Sequence, residues 1–511
     1  MENDESPIAA LIAGYGAYAR PLREVLARIA EGEKTVSGLV AATGVPRRTV
    51  EEVLAALGDG DPAAYAGADQ LRRTAVDDPL AARLAGATDL RRELSGLVER
   101  APAGLRALDH VAATAETAAW RGLWLDATYD LAGARLLCVG DHDLTSLAAA
   151  LVNPGLAVTV VDVDERILEY IGTEAARRGL DVTCLAGDLR YGLPPSAVEC
   201  ADLVFTDPPY TPEGVRLFLA RGAEGLRDRE RGRLLMAYGF SDRTPALGLK
   251  VQQAGQELAL AYEAILPGVQ HYDGAEAIGS TSDLYVCRPT ARTWKVLGAV
   301  AESAANIYTH GPQSLEATAP DTPGPDPVIE ALGEPPTAVV GRWQVPGVSR
   351  VGLGRLLAGG LPSSATVRGR TAVVVDLTAD HGPLLLRALL AANAQRVAVL
   401  LPPQHPDLAA HESLSALVAA KYRIRFVRRS GYAIAVADAL PPGDSVASHV
   451  LTRAHGKVAN VWRDALIRLD PSLTKNEARR IVAEAAPNLA GSAVELPRHR
   501  LAEILASPEA R

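Results

Sequence analysis

The four residues Asp207-Pro208-Pro209-Tyr210 directly follow the apolar run Leu203–Phe205. Two prolines after a strand stop ladder pairing and fix a rigid bend. Such a bend can hold the Asp207 carboxylate and the Pro208 carbonyl as acceptors for an amine, while the ring of Tyr210 walls the pocket and attracts a cation. An amine nucleophile needs that setting, because it arrives as an ammonium and must lose a proton before its lone pair can react. Three further sites repeat the theme of an acid after an apolar run. Gly140-Asp141-His142-Asp143 follows Leu136–Val139, Asp162 and Asp164 follow Ala157–Val161, and Asp188 stands where a third strand should end. Gly140 permits a tight turn beside a ligand. A carboxylate about twenty residues further on can accept both hydroxyls of a ribose. Any one of these acids is equally a solvated strand end. Taken in register they describe a pocket for a hydroxylated and cationic ligand.

The elements that must position these residues are short buried strands alternating with amphipathic runs, Leu147–Val152 and Glu165–Arg178. That alternation predicts a parallel sheet with right-handed crossovers and ligands at the carboxyl ends of its strands. A helix is expected from Pro212, a strand over Arg233–Phe240, a helix over Val251–Ile265 and a last strand over Asp283–Cys287. Upstream, Pro21–Ala30, Val36–Thr43 and Arg47–Leu57 read as three helices of a helix-turn-helix module, with a small wing after Gly58. Arg47 and Arg48 could meet DNA, or the module could serve packing and dimerisation. Trp120 and Trp124, four apart, fit a packed helix face better than a ligand cage.

The 511 residues call for several domains. We divide them into a winged helix-turn-helix domain over 1–80, a Rossmann-like domain over 81–310, a Pro-rich linker over 311–336, a small α/β domain over 337–440 and a helical region over 441–511. The linker assignment rests on seven prolines between Gly311 and Pro336. In the second α/β unit, Thr371–Leu377, Val397–Leu401, Arg423–Val427 and Ala433–Val436 are strand-like, and Asp376, Asp380 and His381 gather at one strand end, as caps or as chemistry. Thr474 and Glu477 form a capping-box pattern. A net charge of −9 disfavours a general nucleic-acid binder. The four cysteines lack metal-ligand spacing and read as buried thiols, so no metal is expected. With no signal-peptide pattern and no apolar run long enough to span a bilayer, a soluble cytoplasmic protein is expected.

Asp109–Thr117 (DHVAATAET), Gly140–Ser146 (GDHDLTS), Val161–Leu168 (VDVDERIL), Gly187–Arg190 (GDLR) and Phe205–Gly214 (FTDPPYTPEG) together resemble the branched-chain polyamine synthases, the bis-aminopropyl spermidine synthases. The resemblance spans roughly Ile8 to Pro289. It implies an N-terminal winged helix, a class I methyltransferase-type sheet and a homodimer formed through the N-terminal part. It implies transfer of an aminopropyl group from decarboxylated S-adenosylmethionine to an amine, with 5′-methylthioadenosine leaving. By position, Asp162 and Asp164 would hold the ribose and Asp188 the adenine. Asp141, Asp143 and Asp207 would line the amine site, with Pro208, Tyr210 and Glu116 beside them. The family carries three successive acids after the glycine, the middle one its acid/base, and here the middle residue is His142. An imidazole titrates near neutrality and can still deprotonate an amine, but it supplies no fixed negative charge. The region His271–Ser282 is shorter than its family counterpart, leaving Tyr272, Asp273 and Glu276.

Three functions remain open from the sequence. The first is transfer of an aminopropyl or related alkyl group from decarboxylated S-adenosylmethionine or S-adenosylmethionine to a small amine. The second is N-methyl or 3-amino-3-carboxypropyl transfer from S-adenosylmethionine, which would need a cation for the donor carboxylate; Arg190 is the nearby candidate. The third is a DNA-associated or non-catalytic regulator, since Asp-Pro-Pro-Tyr also occurs in adenine-N6 DNA methyltransferases.

Overall fold

The computed structural model describes residues 6–15, 19–66, 79–298, 306–317, 322–380, 382 and 384–507. The central sheet contains β1 (Arg135–Val139), β2 (Ala157–Asp162), β3 (Val182–Ala186), β4 (Leu203–Thr206), β5 (Arg233–Tyr238), β6 (Leu260–His271) and β7 (Thr281–Pro289). Their order is β3-β2-β1-β4-β5-β7-β6. The first five are parallel, and β7 runs antiparallel between β5 and β6. Leu136–Val139 and Leu203–Thr206 are buried throughout, because helices cover both faces of a parallel sheet. The chain order reverses at β1, between β2 on one side and β4 on the other. The loops after β1, β2 and β4 therefore open onto one crevice.

The helix expected over Val251–Ile265 is a helix only to Glu257, and β6 begins at Leu260. Ala259 adopts a left-handed φ of +57°, which breaks the helix. The apolar residues beyond it alternate in exposure along an edge strand. Apolar periodicity over a short window does not separate the two cases.

A second sheet contains β8 (Ala338–Val340), β9 (Ser349–Val351), β10 (Ala372–Asp376), β11 (Arg396–Leu401), β12 (Tyr422–Arg429) and β13 (Tyr432–Ala439), in the order β12-β13-β11-β10-β8-β9. It is parallel from β9 to β11 and antiparallel at β13 and β12. The protein is thus a mixed α/β structure with two largely parallel sheets. Within the Pro-rich stretch, Pro325–Leu332 forms a helix with Val328 and Leu332 fully buried against the second sheet. The C-terminal segment is helical, and the capping box of Thr474 and Glu477 is present. It also ties the two sheets together. Glu495 accepts from the Ser196 backbone N–H and hydroxyl at 2.7 and 2.9 Å. Glu165, at the helix after β2, accepts from Arg387 Nη2 and from the Arg498 backbone N–H, both at 2.6 Å.

The N-terminal helices Arg20–Ala30, Val36–Thr43 and Arg47–Leu57 enclose a small core of their own. A turn and the short helix Ala63–Ala66 follow Gly58, and the rest of the expected wing, 67–78, lies outside the described residues, as does His381. The third helix is docked on the central domain. Arg47 pairs with Glu276, which also accepts from the Ser37 hydroxyl at 2.5 Å, and Arg243 pairs with Glu52.

Candidate active site

A cavity lies at the carboxyl ends of β1, β2, β3 and β4. Gly140 turns the chain out of β1 with φ +71°, and a Cβ there would meet the Phe218 ring at 3.2 Å. Asp141, His142 and Asp143 follow along the cavity wall. Both oxygens of Asp141 are engaged by the backbone N–H groups of Thr145 and Ser146, at 2.8 and 3.1 Å. These amides open the helix Thr145–Val152, so a carboxylate is favoured there. Burial nevertheless raises its pKa to about 7. Asp162 ends β2 and accepts from the Asp141 and Asp164 backbone N–H groups at 2.9 and 2.8 Å, one on each oxygen. Each oxygen keeps a lone pair for a hydroxyl. Asp188 lines the same cavity, chelated by Arg190 at 2.5–3.2 Å. Arg190 is 2% exposed and so directs its guanidinium at Asp188.

Asp207, Pro208 and Tyr210 form the wall opposite. Tyr238 holds this bend by donating to the Tyr210 carbonyl at 2.9 Å. The centre of that wall is a residue that sequence reasoning missed. Arg121, on the helix Ala115–Thr128, reaches inward with no side-chain exposure and donates to Asp143 Oδ2 at 3.0 Å and Asp207 Oδ2 at 2.8 Å. The Tyr272 hydroxyl also donates to Asp207, at 2.7 Å. The side chain of Asp207 keeps 24% exposure, yet burial and the charge of Asp143 raise its pKa to about 8, with Arg121 opposing. Burial pushes Asp143 up as well, but Arg121 and a hydrogen bond with Asp207 outweigh it and hold Asp143 below the usual carboxylate range. Of the two carboxyls, Asp207 is the more readily protonated.

His142 stacks on His110 with ring centroids 4.4 Å apart, and its Nδ1 is buried without a partner. Burial lowers the pKa of His110, with the nearby carboxylates opposing. Tyr308 and Ile307 cover the cavity from beyond the central sheet, anchored where Thr211 donates to the Ile307 carbonyl at 2.5 Å. Two expected residues are not brought in. Glu116 sits at the N-terminus of its helix with its side chain 66% exposed, 3.9 Å from Arg91. Asp164 faces away from the cavity, capping the helix Glu165–Arg178 and binding Arg166 at 2.6–3.1 Å. Among the described residues no group of His, Cys, Asp and Glu has the arrangement of a metal site, and no helix is long and apolar enough to cross a membrane.

Residues 89–289 match the family profile of the branched-chain polyamine synthase A C-terminal domain. Over this stretch the chain is similar to the branched-chain polyamine synthases. N(4)-bis(aminopropyl)spermidine synthase of Thermus thermophilus is 40% identical over 97 residues, 19% of this chain and 28% of the relative. The synthase of that name from Thermococcus kodakarensis is 30% identical over 141 residues, 27% and 40% of the two chains. An uncharacterized protein of Methanocaldococcus jannaschii is 34% identical over 209 residues, 41% of this chain and 52% of the relative. The chain thus spans about half or less of the length of these curated relatives. The branched-chain polyamine synthase of Thermus thermophilus, solved with N4-aminopropylspermidine and 5′-methylthioadenosine, aligns over 56% of this chain and 93% of its own at 19% identity and a TM-score of 0.40.

Proposed function

We propose that residues 81–310 transfer an aminopropyl group from decarboxylated S-adenosylmethionine to the nitrogen of a small amine. The observation that carries this reading is the partition of the cavity. Asp162 and Asp188 stand at the β2 and β3 ends, where a nucleoside's hydroxyls and base would lie. The Arg121-linked pair Asp143 and Asp207 stands at the β1 and β4 ends. The donor carbon would lie between them.

In the step itself, the acceptor ammonium gives a proton to Asp207, whose ionised form Arg121 and Tyr272 hold in place. The freed lone pair attacks the carbon attached to the sulfonium. The carbon–sulfur bond breaks with its electron pair going to sulfur, and 5′-methylthioadenosine leaves as a neutral thioether. A base whose pKa lies near the working pH suits this proton transfer. Asp207 is favoured as that base over His142, because two donors orient its carboxylate while no hydrogen bond orients the imidazole.

The decarboxylated donor is favoured for a separate reason. Arg121 is the only guanidinium on the cavity wall among the described residues, and all its N–H groups are engaged within the protein. Arg190 is spent on Asp188. A donor carboxylate would find no free cation, and a buried unpaired carboxylate is costly. The N-terminal helices are read as a winged-helix module that serves packing and homodimer formation in the cytoplasm, since the pairing of Arg47 with Glu276 removes one of its two candidate DNA-contacting arginines.

Incubation with each sulfonium donor and a panel of amines, followed by product mass, tests the reading. An amine heavier by one aminopropyl unit, with 5′-methylthioadenosine in equal amount, is expected. A methylated or carboxypropylated product, or none from either donor, overturns it.

A further inference from the structure

We propose that the second α/β unit is a positioning element for the donor: from outside the cavity it grips the loops after β2 and β3 through Glu165 and Glu495, and that grip sets the affinity of the nucleoside end. The inference rests on the transfer reading above. The unit lies beyond the matched stretch 89–289. Glu165 follows Asp164, whose backbone N–H donates to Asp162 Oδ1 at 2.8 Å. Both Glu165 oxygens are taken by the second unit. Oε1 accepts from Arg387 Nη2 and Oε2 from the Arg498 backbone N–H, each at 2.6 Å. Arg387 is 3% exposed and also donates to the Leu496 carbonyl, while the Arg498 guanidinium is clamped by Asp407 at 2.6 and 2.8 Å. A rigid set of partners therefore fixes the first turn of the helix behind the ribose carboxylate.

The loop after β3 is gripped on both flanks. The Ala186 backbone N–H donates to the Glu495 carbonyl at 2.7 Å, and the Glu495 carboxylate accepts from the Ser196 N–H and hydroxyl at 2.7 and 2.9 Å. Between these anchors stand Asp188 and Tyr191, whose ring packs on the hydrophobic core of the second unit. Leu108, Val163 and Asp188 line both the cavity and a neighbouring cleft whose far wall carries Asp380, Asp407 and Arg498. The nucleoside end thus backs onto the second unit. The amine end is held differently, since Asp143 and Asp207 are fixed from within the central domain by Ala113, Arg121 and Tyr272. A binding constellation works only when its residues are held to within about 0.5 Å, and here the support for the two ends comes from different units. The competing view is that the second unit only covers the edge strand β3. Broken contacts would then cost stability and leave the affinity of the folded protein unchanged.

Calorimetric titration of the full chain with 5′-methylthioadenosine separates the two views. Arg387→Met removes the charge that Glu165 pairs with and is expected to weaken binding about fivefold or more, the lower end of coupling between separate sites. Arg387→Lys, which keeps that charge, should recover part of the loss. Arg396→Met breaks a 2.6 Å ion pair with Asp438 inside the second sheet and should leave the affinity within about twofold. Circular dichroism and urea unfolding establish that each variant is folded. Should Arg387→Met not fold, Glu165→Gln, which keeps one acceptor oxygen and loses the charge, takes its place and should move affinity in the same direction by a smaller factor. Unchanged affinity in the folded Arg387→Met, or in Glu165→Gln in its place, overturns the proposal, as does an equal loss in Arg396→Met. If 5′-methylthioadenosine does not bind the wild type, the transfer reading falls and takes the proposal with it; if it binds and the variants bind equally well, only the proposal falls.

Discussion

Aspartates stand at the carboxyl ends of parallel strands in both sheets. At the end of β10, Asp376 accepts from the Trp343 backbone N–H on one oxygen and from the Thr378 N–H and hydroxyl on the other. Asp380 caps Gly382 and Leu384 and meets His405 Nε2 at 3.2 Å, while Asp407, after β11, is chelated by Arg498 at 2.6 and 2.8 Å. His405 Nδ1 accepts from the Asp407 N–H at 3.2 Å, which leaves Nε2 to donate to Asp380. These groups satisfy one another. In the central sheet, Asp162 retains lone pairs and Asp207 retains an exposed oxygen. An acid at a strand end marks a site only when its hydrogen-bonding capacity is not already used by the fold.

Removing the base should produce the largest difference between the two sheets. Asp207→Asn is expected to lower turnover by about 10²–10⁴, the usual size of general-base catalysis. The pH profile sharpens this. Asp207 acts only when ionised, and its raised pKa keeps it mostly protonated at neutral pH. Turnover should therefore climb with pH and level off above about 8, and Asp207→Asn should lose that limb. Next in size is the nucleoside end. Asp162→Asn should weaken 5′-methylthioadenosine binding by about 1.5–3 kcal/mol, the value of hydrogen bonds to a charged group, measured by calorimetry. His142→Ala should reduce turnover by less than about tenfold, since the imidazole is read as wall and not as base; a loss equal to that of Asp207→Asn would reverse the assignment. Smallest should be Asp376→Asn, which is expected to leave kcat/KM within about twofold while costing about 1–3 kcal/mol in urea unfolding. A large kinetic effect there would break the contrast between the sheets.

The central sheet was legible because its strands are short, buried and apolar, and because each ends in Asp141, Asp162 or Asp207 before a helix or bend. The pocket acids could be read for the same reason. Arg121 could not be, because its partners Asp143 and Asp207 lie 22 and 86 residues away and the pairing exists only after the sheet has formed. The available signal was one arginine between Trp120 and Trp124 on an otherwise apolar helix face. Glu116 was placed by its motif, but a helix N-terminus that points outward carries its acid into solvent. The helix Pro325–Leu332 was hidden by prolines that occupy its first turn, where proline is tolerated. β8 and β9, at three residues each, are too short to show a period.

Calorimetric titration of the full chain with 5′-methylthioadenosine, alongside Asp162→Asn, tests the central claim most directly. One nucleoside bound per chain, with affinity lost about tenfold or more in the variant, is the result expected of an adenosyl site at the ends of β2 and β3. No heat of binding in the wild type, or equal affinity in the two proteins, would contradict it.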